Sequence, residues 1–176
     1  MTHSLIITAD IHGHLPTWRL IKAQLKPGDG LAVAGDLFDT VYGRAHPEFD
    51  PFTIREEFQA LANPTWYVCG NCDQPDFYSG ELSLAFSWEE KTLLLAHGHS
   101  HLPDLTDYDI VIQGHTHVSQ LDTLMGKVFL NPGSPVIPRG GHQGFARLSD
   151  NRLELVELPG GRVVEQLDLT TTLTPR

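Results

Sequence analysis

The sequence predicts an α/β fold with an antiparallel C-terminal part, built as two sheets packed face to face. Three observations carry this. Short apolar runs of strand length alternate with helix-like segments over the first two-thirds of the chain. Their order, strand–helix–strand–helix–strand, implies parallel pairing with right-handed crossovers. After Asn131 the helical segments stop, and short runs follow one another across hairpin-type turns.

Taken in order, Ser4–Ala9 reads as a buried strand, with five of its six residues apolar or β-branched. Pro16–Lys26 reads as a helix. Pro16 sits near its start, Trp18, Ile21 and Leu25 share a face, and Pro27-Gly28 stops it. Leu31–Ala34 is a second short strand. Thr53–Ala62 is a second helix, with Thr53 and Glu56 in a capping-box pattern and Asn63-Pro64 at its end. Trp66–Cys69 is a third strand, and Thr92–Ala96 and Asp109–Gln113 are further buried strands. Gly144–Ser149, Arg152–Glu157 and Arg162–Leu167 are separated by Asp150-Asn151 and by Pro159-Gly160-Gly161, which are hairpin signals. Between Leu37 and Phe52 lies a loop of 16 residues, where Asp39, Arg44 and His46 are candidates to face a ligand. The chain shows no repeat, low-complexity tract or linker, so residues 1–176 are expected to form one domain.

Composition narrows the function classes. Forty per cent of residues are hydrophobic and 19% charged, an ordinary globular balance. No apolar run approaches the roughly 20 residues needed to span a bilayer, and no secretory signal is evident. No membrane partner is expected, and a cytoplasmic location is the default. The net charge of −10 argues against a broad nucleic-acid surface. It does not exclude an anionic substrate, because bound metal ions would supply the largest local positive charge. Ten histidines is a high count, and two cysteines are too few for a disulfide framework.

The polar residues at the strand ends carry the chemistry. The first strand runs into Asp10-Ile11-His12, the second into Gly35-Asp36, and the third into Gly70-Asn71. The next two run into His97-Gly98-His99 and Gly114-His115-Thr116-His117. Singly, an Asp after a strand is usually a turn or cap residue, and a lone His is usually structural. Five successive strand ends are a different signal. In a parallel sheet they all lie on one carboxyl edge, where open α/β sheets bind ligands. They bring together Asp10, His12, Asp36, Asn71, His97, His115 and His117, with His99 close by. Seven such groups exceed one tetrahedral site and suit two ions sharing a carboxylate.

This ordered set, with Asp73 following Asn71 and Cys72, resembles the calcineurin-like metallophosphoesterase superfamily. It is most similar to the small bacterial and archaeal phosphodiesterases of that superfamily. The resemblance runs from Ser4 to about Gly141 and includes the turn Asn131–Gly141. It implies a four-layer α/β/β/α sandwich, two mixed β-sheets flanked by helices. It implies two divalent metal ions, manganese first, with nickel, cobalt, zinc or iron as alternatives. Asp10, His12, Asp36 and His117 would hold one ion. Asp36, Asn71, His97 and His115 would hold the other, with Asp36 bridging. It further implies that a hydroxide bridging the metals attacks a small phosphodiester in line. A homo-oligomer is compatible with the sequence.

One position departs from the pattern. Many members of the superfamily carry a histidine after the Asn, where it meets substrate and helps protonate the leaving group. Here that residue is Cys72. A thiol, with an unperturbed pKa near ~8.5, is the poorer proton donor near neutrality. General acid help is worth roughly 10²–10⁴-fold. The expectation is a preference for diesters with good leaving groups and weak action on monoesters. Asn71, Cys72, Asp73 and His99 are the catalytic candidates, His99 as the nearest substitute for the missing histidine and Asp73 as an orienter of neighbouring ligands. Asn131, Ser134 and Arg139 could close one wall of the site.

The alternatives are a phosphomonoesterase or dinucleoside-polyphosphate hydrolase of the same superfamily, and a non-catalytic scaffold of the same fold. The complete ligand set speaks against the scaffold. A thiol–disulfide enzyme built on Cys69-Gly70-Asn71-Cys72 is disfavoured, because Pro75 and Gly80 make a poor helix start after the motif.

Overall fold

The computed structural model describes residues 2–41, 44 and 47–173. Two mixed sheets pack face to face. In the first, β1 (Leu5–Thr8), β2 (Gly30–Val33) and β3 (Thr65–Tyr67) run parallel. The hairpin strands β9 (Gly144–Ser149), β10 (Arg152–Glu157) and β11 (Arg162–Asp168) extend that sheet antiparallel from β1. In the second, β5 (Lys91–Ala96), β6 (Ile110–Ile112) and β8 (Lys127–Asn131) run parallel. Antiparallel β4 (Ser83–Trp88) and β7 (Gln120–Leu124) form its two edges.

The short apolar runs are strands because both of their faces are covered, as in parallel sheets generally. Leu5, Ile7, Leu93, Leu95, Ile110 and Ile112 fill the space between the sheets. Ile6, Leu31 and Val33 point to the other face of the first sheet. There they meet Trp18 and Ile21 of α1 (Leu15–Lys22) and Ile54 and Phe58 of α2 (Pro51–Gln59). Each fully buried side chain of this kind contributes roughly 1.5–3 kcal/mol of transfer free energy. The α/β sandwich of two mixed sheets is the one the sequence predicts. Its helical layers are unequal: α1 and α2 cover one outer face, while the β5–β6 crossover, residues 97–109, is irregular. A last short helix, α3 (Leu169–Thr172), tucks Leu169 into the inter-sheet core.

Several boundaries differ from expectation. α2 begins two residues before Thr53, because Asp50 is its N-cap. The Asp50 carboxylate accepts from Thr53 N at 3.0 Å and from Thr53 Oγ1 at 2.7 Å, and Pro51 opens the first turn. α1 ends at Lys22 rather than Lys26, since Gln24 and Leu25 bond three residues back, tightening the end into turns. The strands β4, β7 and β8 had no sequence reading. β7 is an edge strand with four of its five residues exposed, so it carries no apolar face to recognise. The five strand ends also divide between two sheets rather than sharing one edge. The parallel run stops at β3, because β4 turns back on β5 to begin a separate sheet.

Candidate metal centre

The carboxyl edges of the two sheets meet. Main-chain bonds join the loops after β1 and β2: Asp10 N donates to Gly35 O at 3.0 Å and His12 N to Asp36 O at 2.8 Å. Gly114 N likewise donates to His97 O at 3.0 Å, joining the loops after β5 and β6. The seam between the sheets closes where His115 N donates to Asp10 Oδ2 at 2.9 Å. Gly114 allows this approach, since a Cβ there would lie 2.7 Å from Ala34 O and 2.9 Å from Asp10 Oδ2. A Cβ on Gly70 would fall 1.9 Å from Asp36 Oδ1. Glycine is thus required where backbone crosses the candidate ligands.

The candidate residues themselves are held in unusual backbone. Asp10, His12, Asp36, His115 and His117 all have positive φ, from 51° to 68°. Non-glycine residues in this region cost of order 1–3 kcal/mol each, and the arrangement persists only where surrounding structure enforces it.

The side chains converge. Asp10 and His97 are fully buried, and Asp36, His12 and His117 nearly so. His12 Nε2 lies 3.1 Å from His117 Nε2. His117 Nε2 is 3.4 Å from Asp10 Oδ1, and His97 Nε2 is 3.3 Å from Asp36 Oδ2 and 3.1 Å from Asn71 Oδ1. Three sets have ligand atoms within 4.8 Å of one another: Asp10–His12–His117, Asp10–Asp36–His97 and His12–Asp36–Cys72. The ring of His115 is 5.1 Å from that of His97. His115 and Asn71 are the exposed members, on the solvent side.

The outer ring nitrogens fix the tautomers. His12 Nδ1 meets Asp39 Oδ2 at 2.8 Å, His97 Nδ1 meets Ala34 O at 2.7 Å, and His117 Nδ1 meets Ile137 O at 2.8 Å. Carbonyl and carboxylate oxygens only accept, so each Nδ1 carries hydrogen, and a neutral ring offers its lone pair at Nε2. Those Nε2 atoms face each other and face carboxylate oxygens. Asp10 Oδ1 is buried with no hydrogen-bond partner among the described residues. Lone pairs aimed at lone pairs, around an orphaned carboxylate oxygen, call for a cation between them. The donor set fits divalent ions.

Electrostatics agree. Burial pulls the His12 imidazole down, but the Asp39 hydrogen bond and the charges of Asp36 and Asp10 outweigh it, leaving the pKa raised. His97 is raised against burial by Asp36 in the same way. Burial pushes Asp36 up, yet the His97 hydrogen bond and charge, with the Cys72 amide at 2.8 Å, bring its carboxyl down to about 2. Burial first, and then the Asp36 charge, push the Cys72 thiol well above its usual range.

The remaining candidates fall into place around this cluster. Asp73 is buried and accepts main-chain amides of Asp36, Phe38, Asp39 and Gly70, so its bonds fix the turns themselves. His99 is exposed, 5.3 Å from the ring of His97. Cys69 packs in the core against the helix side of the first sheet, and both thiols are free. Asn131 bonds Gly114 O, Thr116 Oγ1 and Gly133 N, bracing the His115 loop. Ser134 Oγ donates to Asp10 O at 2.7 Å. Of the long-loop candidates, Asp39 is the partner of His12, Arg44 is exposed, and His46 lies outside the described residues. Ile137 had no sequence reading. A cleft of about 440 Å³ opens over His12, Asp36, Cys72 and His115, walled on one side by Ile137 and Arg139.

A family model for the calcineurin-like phosphoesterase superfamily domain matches residues 4–151. The chain belongs to that superfamily, and it is a metal-dependent phosphoesterase, a hydrolase. Phosphodiesterase YfcE of Escherichia coli strain K12 is 30% identical over 178 residues, covering 93% of this chain and 96% of that protein. The structure of YfcE, characterised as a phosphoesterase from E. coli, matches with a TM-score of 0.80 at 26% identity, over 94% of this chain and 99% of that one. Wild-type Vps29 of Entamoeba histolytica, solved in complex with Zn²⁺, matches with a TM-score of 0.65 at 21% identity, over 94% and 99%. That likeness is one of fold.

Proposed function

We propose that the chain is a dinuclear metal-dependent phosphodiesterase in which an activated water attacks a small phosphodiester in line with the leaving oxygen. The observation that carries this is the inward set of imidazole Nε2 atoms on His12, His97 and His117, each with its Nδ1 already tied. Asp10, His12, Asp36 and His117 would hold one ion. Asp36, Asn71, His97 and His115 would hold the second, with Asp36 contributing to both. Divalent ions so held supply charge neutralisation at the phosphoryl oxygens and lower the pKa of water toward neutrality.

The protein's own part is orientation. Asp39, Ala34 O and Ile137 O keep the three imidazoles in the ligating tautomer. Asp36, with its carboxyl at about 2, stays ionised at any working pH. Cys72, its thiol held neutral by burial, offers little proton donation to a departing oxygen. Diesters with good leaving groups need least of it. The diesterase reading also rests on the name of the 30% identical YfcE.

The test is hydrolysis of bis(p-nitrophenyl) phosphate by EDTA-stripped protein resupplied with Mn²⁺, Ni²⁺, Co²⁺ or Zn²⁺, with metal content measured per chain. Turnover that requires metal, two ions per chain, and loss of more than about 10²-fold in Asp36→Asn are expected. Turnover indifferent to EDTA, or a single ion at full activity, refutes the dinuclear reading.

A further inference from the structure

The cleft over the candidate metal centre contains a cation with no side-chain partner among the described residues. Arg139 is the one Arg or Lys among the described residues lining it. Its side chain is exposed and makes no hydrogen bond or ion pair among the described residues. The backbone beneath it is nonetheless tied to the loop that carries His117. Arg139 N donates to His117 O at 2.9 Å, and Val118 and Gly140 pair in a parallel bridge. Ser134 Oγ, bonded to Asp10 O, also accepts from Ile137 N at 2.9 Å. Beside Arg139, Ile137 is 51% exposed, an apolar side chain left open on the wall of a polar cleft.

We propose that Ile137 and Arg139 form a specificity subsite for the part of the substrate beyond the reacting phosphate, selecting diesters whose second arm is an apolar ring bearing an anionic group. This rests on the dinuclear reading above. A diester phosphate carries a single negative charge, which two divalent ions would more than neutralise, so a guanidinium is not needed for the charge of the reacting phosphate. Against the repulsion of a chain of net charge −10, a guanidinium with no partner among the described residues gives a second anion a local place to bind. Its planar fork matches the paired oxygens of a carboxylate or phosphate. Ile137 is placed to pack against the ring that joins the two charges. No part of this uses the Arg as an acid or as a metal ligand; it binds the second arm of the substrate directly and sets specificity.

The test compares bis(p-nitrophenyl) phosphate with 4-carboxyphenyl p-nitrophenyl phosphate under Mn²⁺. The leaving group is the same and only the second arm gains a charge. Arg139→Ala is expected to lower kcat/KM for the carboxylated diester about tenfold more than for the other, with the difference in KM. Arg139→Lys should restore part of it. Equal losses on both substrates, or none, overturn the proposal. A binding arm stands apart from turnover. Phenyl phosphate and 4-carboxyphenyl phosphate are compared as stabilisers of the Mn²⁺-loaded protein in thermal unfolding. The carboxylated ligand should stabilise more, and Arg139→Ala should abolish the difference. If neither diester is hydrolysed, the diesterase reading fails, while this arm still supports or overturns the subsite.

Discussion

Cys72 is the residue at which chemistry and environment pull hardest against each other. It sits at a strand end among candidate ligands, and burial with the Asp36 charge holds its thiol neutral. Replacing it by histidine should raise turnover of diesters with poor leaving groups by about 10²-fold, and change aryl diesters little. A Brønsted plot of rate against leaving-group pKa checks this, and an unchanged slope counts against it. Asp39 acts one bond further out. Its carboxylate holds the His12 ring, so Asp39→Asn should weaken Mn²⁺ affinity by about 10–100-fold in a calorimetric titration. Its role was not legible in the chain, because Asp39 lies 27 positions from His12 and no local spacing links them. The candidate ligands were legible for the opposite reason. An Asp, Asn or His at the end of a short apolar run, directly or after a single Gly, is conspicuous when the chain repeats it at five strands.

At the scale of elements, visibility followed burial. β1, β2, β5 and β6 are apolar on both faces and stand out as unbroken runs. β4 carries a period-two signal in Leu84, Phe86 and Trp88, which pack against the inter-sheet core and which the sequence reading missed, whereas β7 is an exposed edge that composition does not separate from loop. Strand partition between sheets is likewise a long-range matter that no local pattern records. The start of α2 turned on a competition between two caps. Asp50 accepts both the amide and the hydroxyl of Thr53, leaving Thr53 inside the first turn. Asp50→Ala should therefore cost about 1 kcal/mol in urea-induced unfolding. Glu56→Ala, at the position of the expected capping box, should cost only a few tenths. A cost for Glu56→Ala as large as that for Asp50→Ala would contradict the assignment.

For the whole molecule, the proposed metal centre implies that protons and metal ions would compete at the same imidazoles. His12 and His97 have raised pKa values when folded. Their contribution to stability is fully present below about 6.5, the unfolded value, and is lost as pH rises through the raised values. The contribution of Asp36 runs the other way. It is present above the usual carboxylate range and is lost only near pH 2, outside any working window. EDTA-treated protein should thus lose stability from pH 6 to pH 8. Divalent ions replace those protons, so the Tm gained on adding Mn²⁺ should be larger at pH 8 than at pH 6. Differential scanning calorimetry at the two pH values measures it, and a larger gain at pH 6 reverses the sign.

The seam closed by Gly114 has a mechanical consequence. Asp10 and His12 are carried by one sheet and His117 by the other. An ion gripped by all three would act as a rivet between two leaves that otherwise adhere through apolar contact and a few hydrogen bonds at the seam. Opening either leaf would then mean drawing the rivet, and the two would breathe together. Amide exchange in β1 and β6 should slow in step when metal is added, as one cooperative unit.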